Sequence, residues 1–197
     1  MSHKSISLAL TSIVFLVMTV AITPIGNAVV WTNETRLTTH LAWDAYPSIA
    51  QMQDDRIWFV WQSDRGGNWT FDIYYTIYDW WFGTWSPQFP LTTDPSHDIH
   101  PSLMQTSDGT LWLFWSSMRT GNYDLFYMTS SDNGHTWTNA TQLTTNPGPD
   151  VAPSAIQTSN GTIWVVWQAS SMGDYDLFYM TSSDNGHTWT NATQLTT

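Results

Sequence analysis

YDLFYMTSSDNGHTWTNATQLTT occupies Tyr123 to Thr145 and returns unchanged at Tyr175 to Thr197, a shift of 52 residues. Self-similarity at a period of roughly 20 to 50 residues marks a chain built from stacked copies of one supersecondary unit. Outward from this stretch the match continues more loosely. Pro101-Ser102 returns as Pro153-Ser154, and Trp112 and Trp115 return as Trp164 and Trp167. An earlier, divergent copy holds Pro47-Ser48, Trp58, Trp61, Asp72-Ile73-Tyr74-Tyr75, Thr84-Trp85 and Leu91-Thr92-Thr93. Three units follow, over 47–93, 101–145 and 153–197.

Each unit divides into four short strands, A to D, at turn signals. In the second, strand A is expected over Pro101–Thr106, with a turn at Ser107-Asp108-Gly109, and strand B over Thr110–Ser116. The run TLWLFWS is bulky on both faces, as a strand sandwiched between layers must be. Strand C is expected over Tyr123–Thr129 and strand D from about Thr136 to Leu143, after the turn SSDNGH. No helical apolar period appears after the first 28 residues. The fold class is all-β, with four-stranded antiparallel blades of a β-propeller, about three of them present.

The turn between strands C and D is the most specific motif. Ser130, Asp132, Gly134, Thr136 and Trp137 fit Ser/Thr-x-Asp-x-Gly-x-Thr-Trp, and Ser182, Asp184, Gly186, Thr188 and Trp189 fit it again. An Asp side chain accepts N–H bonds inside such a turn, Gly supplies a positive φ, and Trp packs beneath. In these residues the chain resembles the Asp-box, or BNR-repeat, propellers, the group that includes sialidases. Ser63 to Asn68 and Thr120 to Tyr127 are also similar to TolB-type propeller repeats. The resemblance implies a propeller whose boxes are structural and lie away from the ligand-binding face. The first unit departs from it, with Tyr78-Asp79-Trp80-Trp81-Phe82-Gly83 where the box would stand.

Composition narrows the function. The chain has 197 residues, no Cys, 14 Trp, and 5 Lys and Arg against 16 Asp and Glu, for a formal charge of -11. Thiolate sites and disulfides are excluded, and neither nucleic-acid phosphate nor anionic lipid finds a basic surface. Abundant aromatics with little charge suit β-sheet cores first and flat, weakly charged ligands such as sugars second. Lys4, the apolar run Ile6 to Ile22 and the small residues Gly26-Asn27-Ala28 read as an export signal over 1–28, with an uncleaved anchor as the alternative. The expected location is secreted or at the cell surface. Sequons at Asn33, Asn68, Asn139, Asn160 and Asn191 fit an exported glycoprotein.

Trp31 to Thr39 lines up with Trp137 to Thr145 and is expected as a lone strand D. The third unit already has its own strand D, so one is left over, and three blades are fewer than the four or more of known rings. The expectation is a fragment lacking C-terminal blades. The alternatives are two chains pairing into a six-bladed ring, or an open stack with sticky edges.

Antiparallel order places the D-to-A and B-to-C loops on one face, where propellers bind ligands. The candidates there are Asp44, Tyr46, His97, Asp98, His100 and Asp150 in the D-to-A loops, with Asp64, Arg65, Asn68, Trp69, Arg119, Asn122 and Asp174 in the B-to-C loops. Asp44, Asp98 and Asp150 recur three residues before the strand A proline. Such a ring of carboxylates can bind a cation or supply the acid/base pair of glycoside hydrolysis. Recurrence in every unit favours instead a cap on the turn into strand A. His97, Asp98 and His100 are the best metal-like grouping, without counterparts in the other units, and no cofactor is implied.

The sialidase likeness implies three arginines, a Tyr activated by a Glu, an Asp acid and an Arg-Ile-Pro-like element. Arg56-Ile57-Trp58 lacks the proline, the mature chain has only Arg36, Arg56, Arg65 and Arg119, and its only Glu is Glu34. No catalytic set is recognisable. The leading expectation is a non-catalytic extracellular module recognising glycans or surface proteins. The alternatives are a sialidase-like glycoside hydrolase with part of its set missing, and a structural cell-surface repeat protein.

Overall fold

The computed structural model describes residues 33–67, 69–170 and 174–196. The signal or anchor expected over 1–28 lies outside them. Among the described residues no helix is long and apolar enough to cross a membrane. The chain divides after Leu37, and residues 33–37 carry no strand.

From Thr38 onward, three antiparallel sheets follow one another. The first runs β1 (Asp44–Gln51), β2 (Ile57–Ser63), β3 (Asp72–Asp79) and β4 (Thr84–Trp85), with β5 (Phe89–Pro90) also on β3. The second is β6 (Asp98–Gln105), β7 (Leu111–Ser117), β8 (Asp124–Ser130) and β9 (Thr141–Gln142). The third is β10 (Asp150–Gln157), β11 (Ile163–Ser170), β12 (Tyr175–Ser182) and β13 (Thr193–Gln194). These are propeller blades, each a meander from strand A to strand D.

Strand D is far shorter than expected. Before Thr141 the contact with strand C narrows to Thr138, whose N–H donates to the Thr129 carbonyl at 2.9 Å and whose Oγ1 accepts the Thr129 N–H at 2.9 Å. In the first blade Pro87, with no N–H to give, splits strand D into β4 and β5. Short, broken outer strands blunt an exposed sheet edge. The leading strand expected over 31–39 is not formed where it is described, since 33–39 carries no strand. The three C strands, β3, β8 and β12, each already have a D partner.

Burial shows how the blades stack. One apolar cluster joins Trp58, Val60 and Ile73 to Leu111, Leu113 and Trp115, and a second joins Trp112, Phe114 and Leu125 to Ile163, Val165 and Trp167. Strand B of the middle blade is therefore buried on both faces, as TLWLFWS predicts. In β11 burial alternates, because only one face meets a neighbour.

Candidate functional site

Strand A begins the same way in all three blades. Asp44, Asp98 and Asp150 each open the strand, and two residues on the chain takes a left-handed turn at Tyr46 (φ 52), His100 (φ 54) and Ala152 (φ 56). A bulge in the A–B ladder falls at this point in every blade. Such backbone is rare for residues with a Cβ, and the bulge turns the entering chain toward strand B.

The three carboxylates reach from the start of strand A to partners on strand B and in the B-to-C loop. Trp61 Nε1–H donates to Asp44 at 3.0 Å, and Trp167 Nε1–H donates to Asp150 at 2.8 Å. Asp98 is gripped by Arg119 Nη2 at 2.8 and 2.9 Å, while Arg65 Nη2 reaches Asp44 at 2.7 Å. Turn residues bond two of them as well, Thr38 to Asp44 and Thr144 and Asn146 to Asp150, and beside these contacts each carboxylate ties strand A to strand B or the B-to-C loop, because a Trp indole or a guanidinium stands within reach. Each arginine also stacks, Arg119 over Phe126 and Trp115, and Arg65 over Tyr74 and Trp61. A guanidinium desolvated, stacked and paired in this way is a structural rivet.

Burial raises the Asp44 carboxyl, but hydrogen bonds from Arg65, Ser63, Thr38 and Trp61 outweigh it and leave the group below its ordinary range. Asp150 is fully buried without a guanidinium bonded to it, and burial pushes its pKa up. Asp72, at the start of strand C, is raised to about 6 by burial first and by Asp98 second.

The remaining loop candidates divide into fastened and exposed. Asn122 Nδ2 donates to the Asn146, Pro147 and Gly148 carbonyls at 3.2, 3.4 and 2.9 Å, which ties two loops together. Asp64 Oδ1 accepts the Trp43 N–H at 2.8 Å. His97 Nδ1 accepts the Phe71 N–H at 3.4 Å, and half-buried His100 is lowered in pKa by burial. With Asp98 held by Arg119, the His97, Asp98 and His100 triplet does not converge, and among the described residues no group of three potential ligands could hold a metal ion. Asp174 is exposed, and Asn68 lies outside the described residues.

Three aromatic side chains stand open on this face beside such exposed loop residues as Asp174. Trp43, Tyr46 and Trp69 are 65%, 57% and 83% exposed. The Tyr46 ring meets His100 of the next blade edge-on at 4.3 Å, and Trp43 and Phe71 are edge-to-face at 5.8 Å. Phe71 lies 5.8 Å from His97, so aromatic contacts cross from the first blade to the second. Trp69 is held at φ 61.

The opposite face carries the C–D turns. Asp132 Oδ1 accepts the Thr136 N–H at 2.9 Å and the Ser130 hydroxyl at 2.7 Å, while its Oδ2 accepts the Thr136 hydroxyl at 2.6 Å. Ser130 Oγ accepts the Gly134 N–H at 2.9 Å. Ser182, Asp184, Gly186 and Thr188 repeat the set. Thr136 above all, then Ser130, holds the Asp132 carboxyl far below the usual range, and Thr188 and Ser182 bring Asp184 to about 2.

A family model, the BNR repeat-like domain, matches residues 57–197. The chain belongs to the BNR repeat-like family. Comparison with curated proteins finds no match. Among solved structures the chain is similar to a Hadza microbial sialidase, at 16% identity and TM-score 0.62, over 74% of this chain and 36% of that one. It is similar to the intramolecular trans-sialidase from Ruminococcus gnavus in complex with oseltamivir carboxylate, at 11% identity and TM-score 0.61, over 77% and 60%. It is also similar to the Penicillium chrysogenum alpha-L-arabinanase complexed with arabinobiose, at 18% identity and TM-score 0.59, over 78% and 50%. These likenesses show the fold, and the chain spans between about a third and three fifths of each of those proteins. The TolB-type likeness finds no support among them.

Three features of this BNR repeat-like chain are not in the motif. Thr92, Thr144 and Thr196 each accept, through Oγ1 at 2.9 Å, the strand C N–H of Ile73, Leu125 and Leu177. Ser48 and Ser102 accept N–H bonds from strand A of the next blade, at Leu103 (3.2 Å) and Ala155 (3.1 Å). Gln105 and Gln157 accept the N–H of Gln53 and Ser107 in the preceding blade, both at 2.7 Å. The signal for each is recurrence of a small polar residue at one place in the repeat.

Proposed function

We propose that this propeller is a non-catalytic extracellular module that binds carbohydrate across the aromatic rim where its first and second blades meet. The observation that carries the reading is the set Trp43, Tyr46 and Trp69, large aromatic side chains left exposed on the loop-bearing face, apart from the exposed Trp80, Trp81 and Phe82 of the first blade's C–D turn. Aromatic faces stack on the C–H faces of a sugar, and neighbouring carboxylates and amides accept its hydroxyls. Asp64, fastened to the Trp43 backbone, is placed for the second task. Holding Trp69 at φ 61 costs of order 1–3 kcal/mol, and strain of this kind gathers at ligand sites.

Two observations favour binding over hydrolysis. Arg65 and Arg119 are committed to Asp44 and Asp98 and stack on aromatic rings, which leaves neither free to hold a substrate carboxylate. Glu34 is the only Glu in the chain. The printed names of the structural neighbours, two sialidases and an arabinanase holding arabinobiose, support a carbohydrate as ligand class. The export-like N-terminus supports an extracellular setting.

The test is a glycan array probed with the labelled mature chain beside Trp69→Ala. The expected result is a restricted set of bound glycans, with affinity at least ten-fold weaker in the variant and an unchanged unfolding midpoint. Absence of binding to any glycan overturns the carbohydrate reading. Release of the fluorophore from a fluorogenic sialoside or arabinoside overturns the non-catalytic one.

A further inference from the structure

In the first two blades the carboxylate that opens strand A holds a guanidinium, Asp44 that of Arg65 and Asp98 that of Arg119. The third blade breaks the pattern. Asp150 is fully buried, as Asp98 is, but the sequence of its B-to-C loop, Ser171 to Asp174, contains neither Arg nor Lys. Trp167 Nε1–H reaches Asp150 Oδ1 at 2.8 Å, and Asp150 Oδ2 is buried with no hydrogen-bond partner.

A second carboxylate stands beside it. The Asp150 N–H donates to the Tyr123 carbonyl at 2.7 Å, which brings Asp150 against the start of β8, where Asp124 is buried. The Thr120 hydroxyl and the Gln142 amide donate to Asp124 Oδ2 at 2.6 and 3.0 Å, and Asp124 Oδ1 is again buried without a partner. Thr144 places the two carboxylates against each other. In the first and third blades the corresponding threonines, Thr92 and Thr196, donate to Oδ1 of the strand C aspartate, Asp72 or Asp176, at 3.3 and 3.1 Å. Thr144 takes the same strand C bond, from the Leu125 N–H at 2.9 Å, but gives its hydroxyl to Asp150. One hydroxyl therefore borders both acids. Burial raises the pKa of each, and Asp124 adds to the rise at Asp150.

Two neighbouring carboxylates are costly to bury unless a positive charge compensates them. At the preceding joint Arg119 supplies that charge, bonding Asp98 and acting also on Asp72. Between the second and third blades it has to come from solution. The groups at hand are two carboxylates with the Thr144 hydroxyl and the Asn146 amide beside Asp150. Among the described residues no third Asp, Glu or His joins them, so neutral oxygens complete the set. Oxygen donors of mixed kind suit Ca2+, which takes about 6–8 of them in flexible geometry, better than Mg2+ with its strict octahedron, and the set lacks the nitrogen or sulfur that Zn2+ favours. Two negative charges match one divalent ion.

We propose that Asp124 and Asp150 hold a calcium ion between the second and third blades, where it takes the part that Arg119 plays between the first and second. The ion ties strand A of one blade to strand C of the blade before it. This site is separate from the aromatic rim and does not depend on a carbohydrate ligand.

The experiment strips the chain with a chelator and then adds calcium alone. Titration calorimetry counts the ions, and thermal melts with and without calcium read their effect on stability. Tb3+ in place of calcium reports by luminescence excited through the indoles, since Trp167 bonds Asp150 directly. The expected result is one ion per chain, a melting temperature that climbs with calcium, and a luminescence that calcium displaces. Asp124→Asn removes one negative ligand and weakens calcium binding by roughly tenfold or more. In chelator the same variant melts above the unaltered chain, because the uncompensated pair is relieved, whereas a variant that merely misfolds melts below it. Asp55→Asn, an exposed acid of the first blade, leaves calcium binding unchanged. No heat, no melting shift and no luminescence from the unaltered chain overturns the proposal and leaves the two acids to share a proton. A calcium response that survives both Asp124→Asn and Asp150→Asn overturns it as well, because the ion then sits elsewhere. An equal response to magnesium overturns calcium as the ion.

Discussion

Gly134 lies so close to Trp58 of the preceding blade that a Cβ built on it would stand 2.3 Å from the indole Cη2, and Gly186 repeats the relationship with Trp112 at 2.2 Å. The box glycine thus answers two demands, a left-handed turn (φ 83) and passage over the neighbouring blade's indole. Gly161, at φ 86, has only the first, with nothing within 4 Å of its Cβ position. Gly161→Ala is expected to cost about 1 kcal/mol for backbone strain. Gly134→Ala should cost about 1–3 kcal/mol more, the usual range for overpacking a core. Urea unfolding midpoints of the two variants check the difference.

Arg119 and Asp98 make the second prediction. Asp98 is fully buried, and Arg119 is its bidentate partner. Arg119→Met keeps the stacked stem and removes the charge, leaving a buried carboxylate without its cation. Breaking a buried pair at one partner costs about 3–5 kcal/mol, and the lower end is expected here because Arg119 retains some exposure. The double variant Arg119→Met with Asp98→Asn should recover most of the loss. Equilibrium denaturation of the two single variants and the double variant yields the coupling directly.

The sequence carried the fold further than the site, for a physical reason. A blade is specified locally, by strand alternation and by turn residues whose bonds span four positions, so the 52-residue repeat and the Ser130 to Trp137 box were enough to place the sheets. Strand D falls short of 136–143 because Thr136 spends its N–H and hydroxyl inside the box and only Thr138 reaches strand C, at Thr129. The loop candidates depended on partners 20 or more positions away. Asp98 and Arg119 read as ligand-face residues because each alone is polar and lies in a loop, and only the folded chain shows them facing each other. The exposure of Trp43 was likewise hidden, since nothing local separates an exposed Trp from one that a neighbouring blade covers.

Thr144 supports a third prediction. Buried to 3% exposure, its Oγ1 accepts the Leu125 N–H at 2.9 Å, and its hydroxyl bonds the neighbouring Asp150 carboxyl, partly opposing the rise that burial causes there. Thr144→Val preserves shape but leaves a buried N–H without an acceptor. The expected cost is about 1–3 kcal/mol. Thr145→Val, one position on and exposed, should fall within about 0.5 kcal/mol of the unaltered chain, as surface substitutions generally do. Hydrogen exchange adds an independent reading: the Leu125 amide should lose protection in Thr144→Val and keep it in Thr145→Val.

Asp72 sets the pH dependence. Burial, then Asp98, raises its carboxyl to about 6 in the folded chain, against an ordinary value near 3.8. A group with a raised folded pKa binds its proton more tightly in the folded state, so its stabilising contribution is complete below about 4 and is lost as pH rises through about 6. The box carboxylates Asp132 and Asp184 run the other way. Their folded values are depressed, so their contribution is complete above about 4 and is lost only as pH falls toward 2. Between pH 7 and pH 5 the boxes are therefore silent and Asp72 takes up its proton. Half-buried His100, lowered in pKa, pulls the other way over that interval while the raised Asp124 and Asp150 act with Asp72, so the difference between the two proteins carries the signal: Asp72→Asn should melt higher than the unaltered chain at pH 7 and lose that advantage as pH falls toward 5. Thermal melts of both proteins at half-unit pH steps decide the matter, and a profile unchanged by Asp72→Asn would assign the titration to another group.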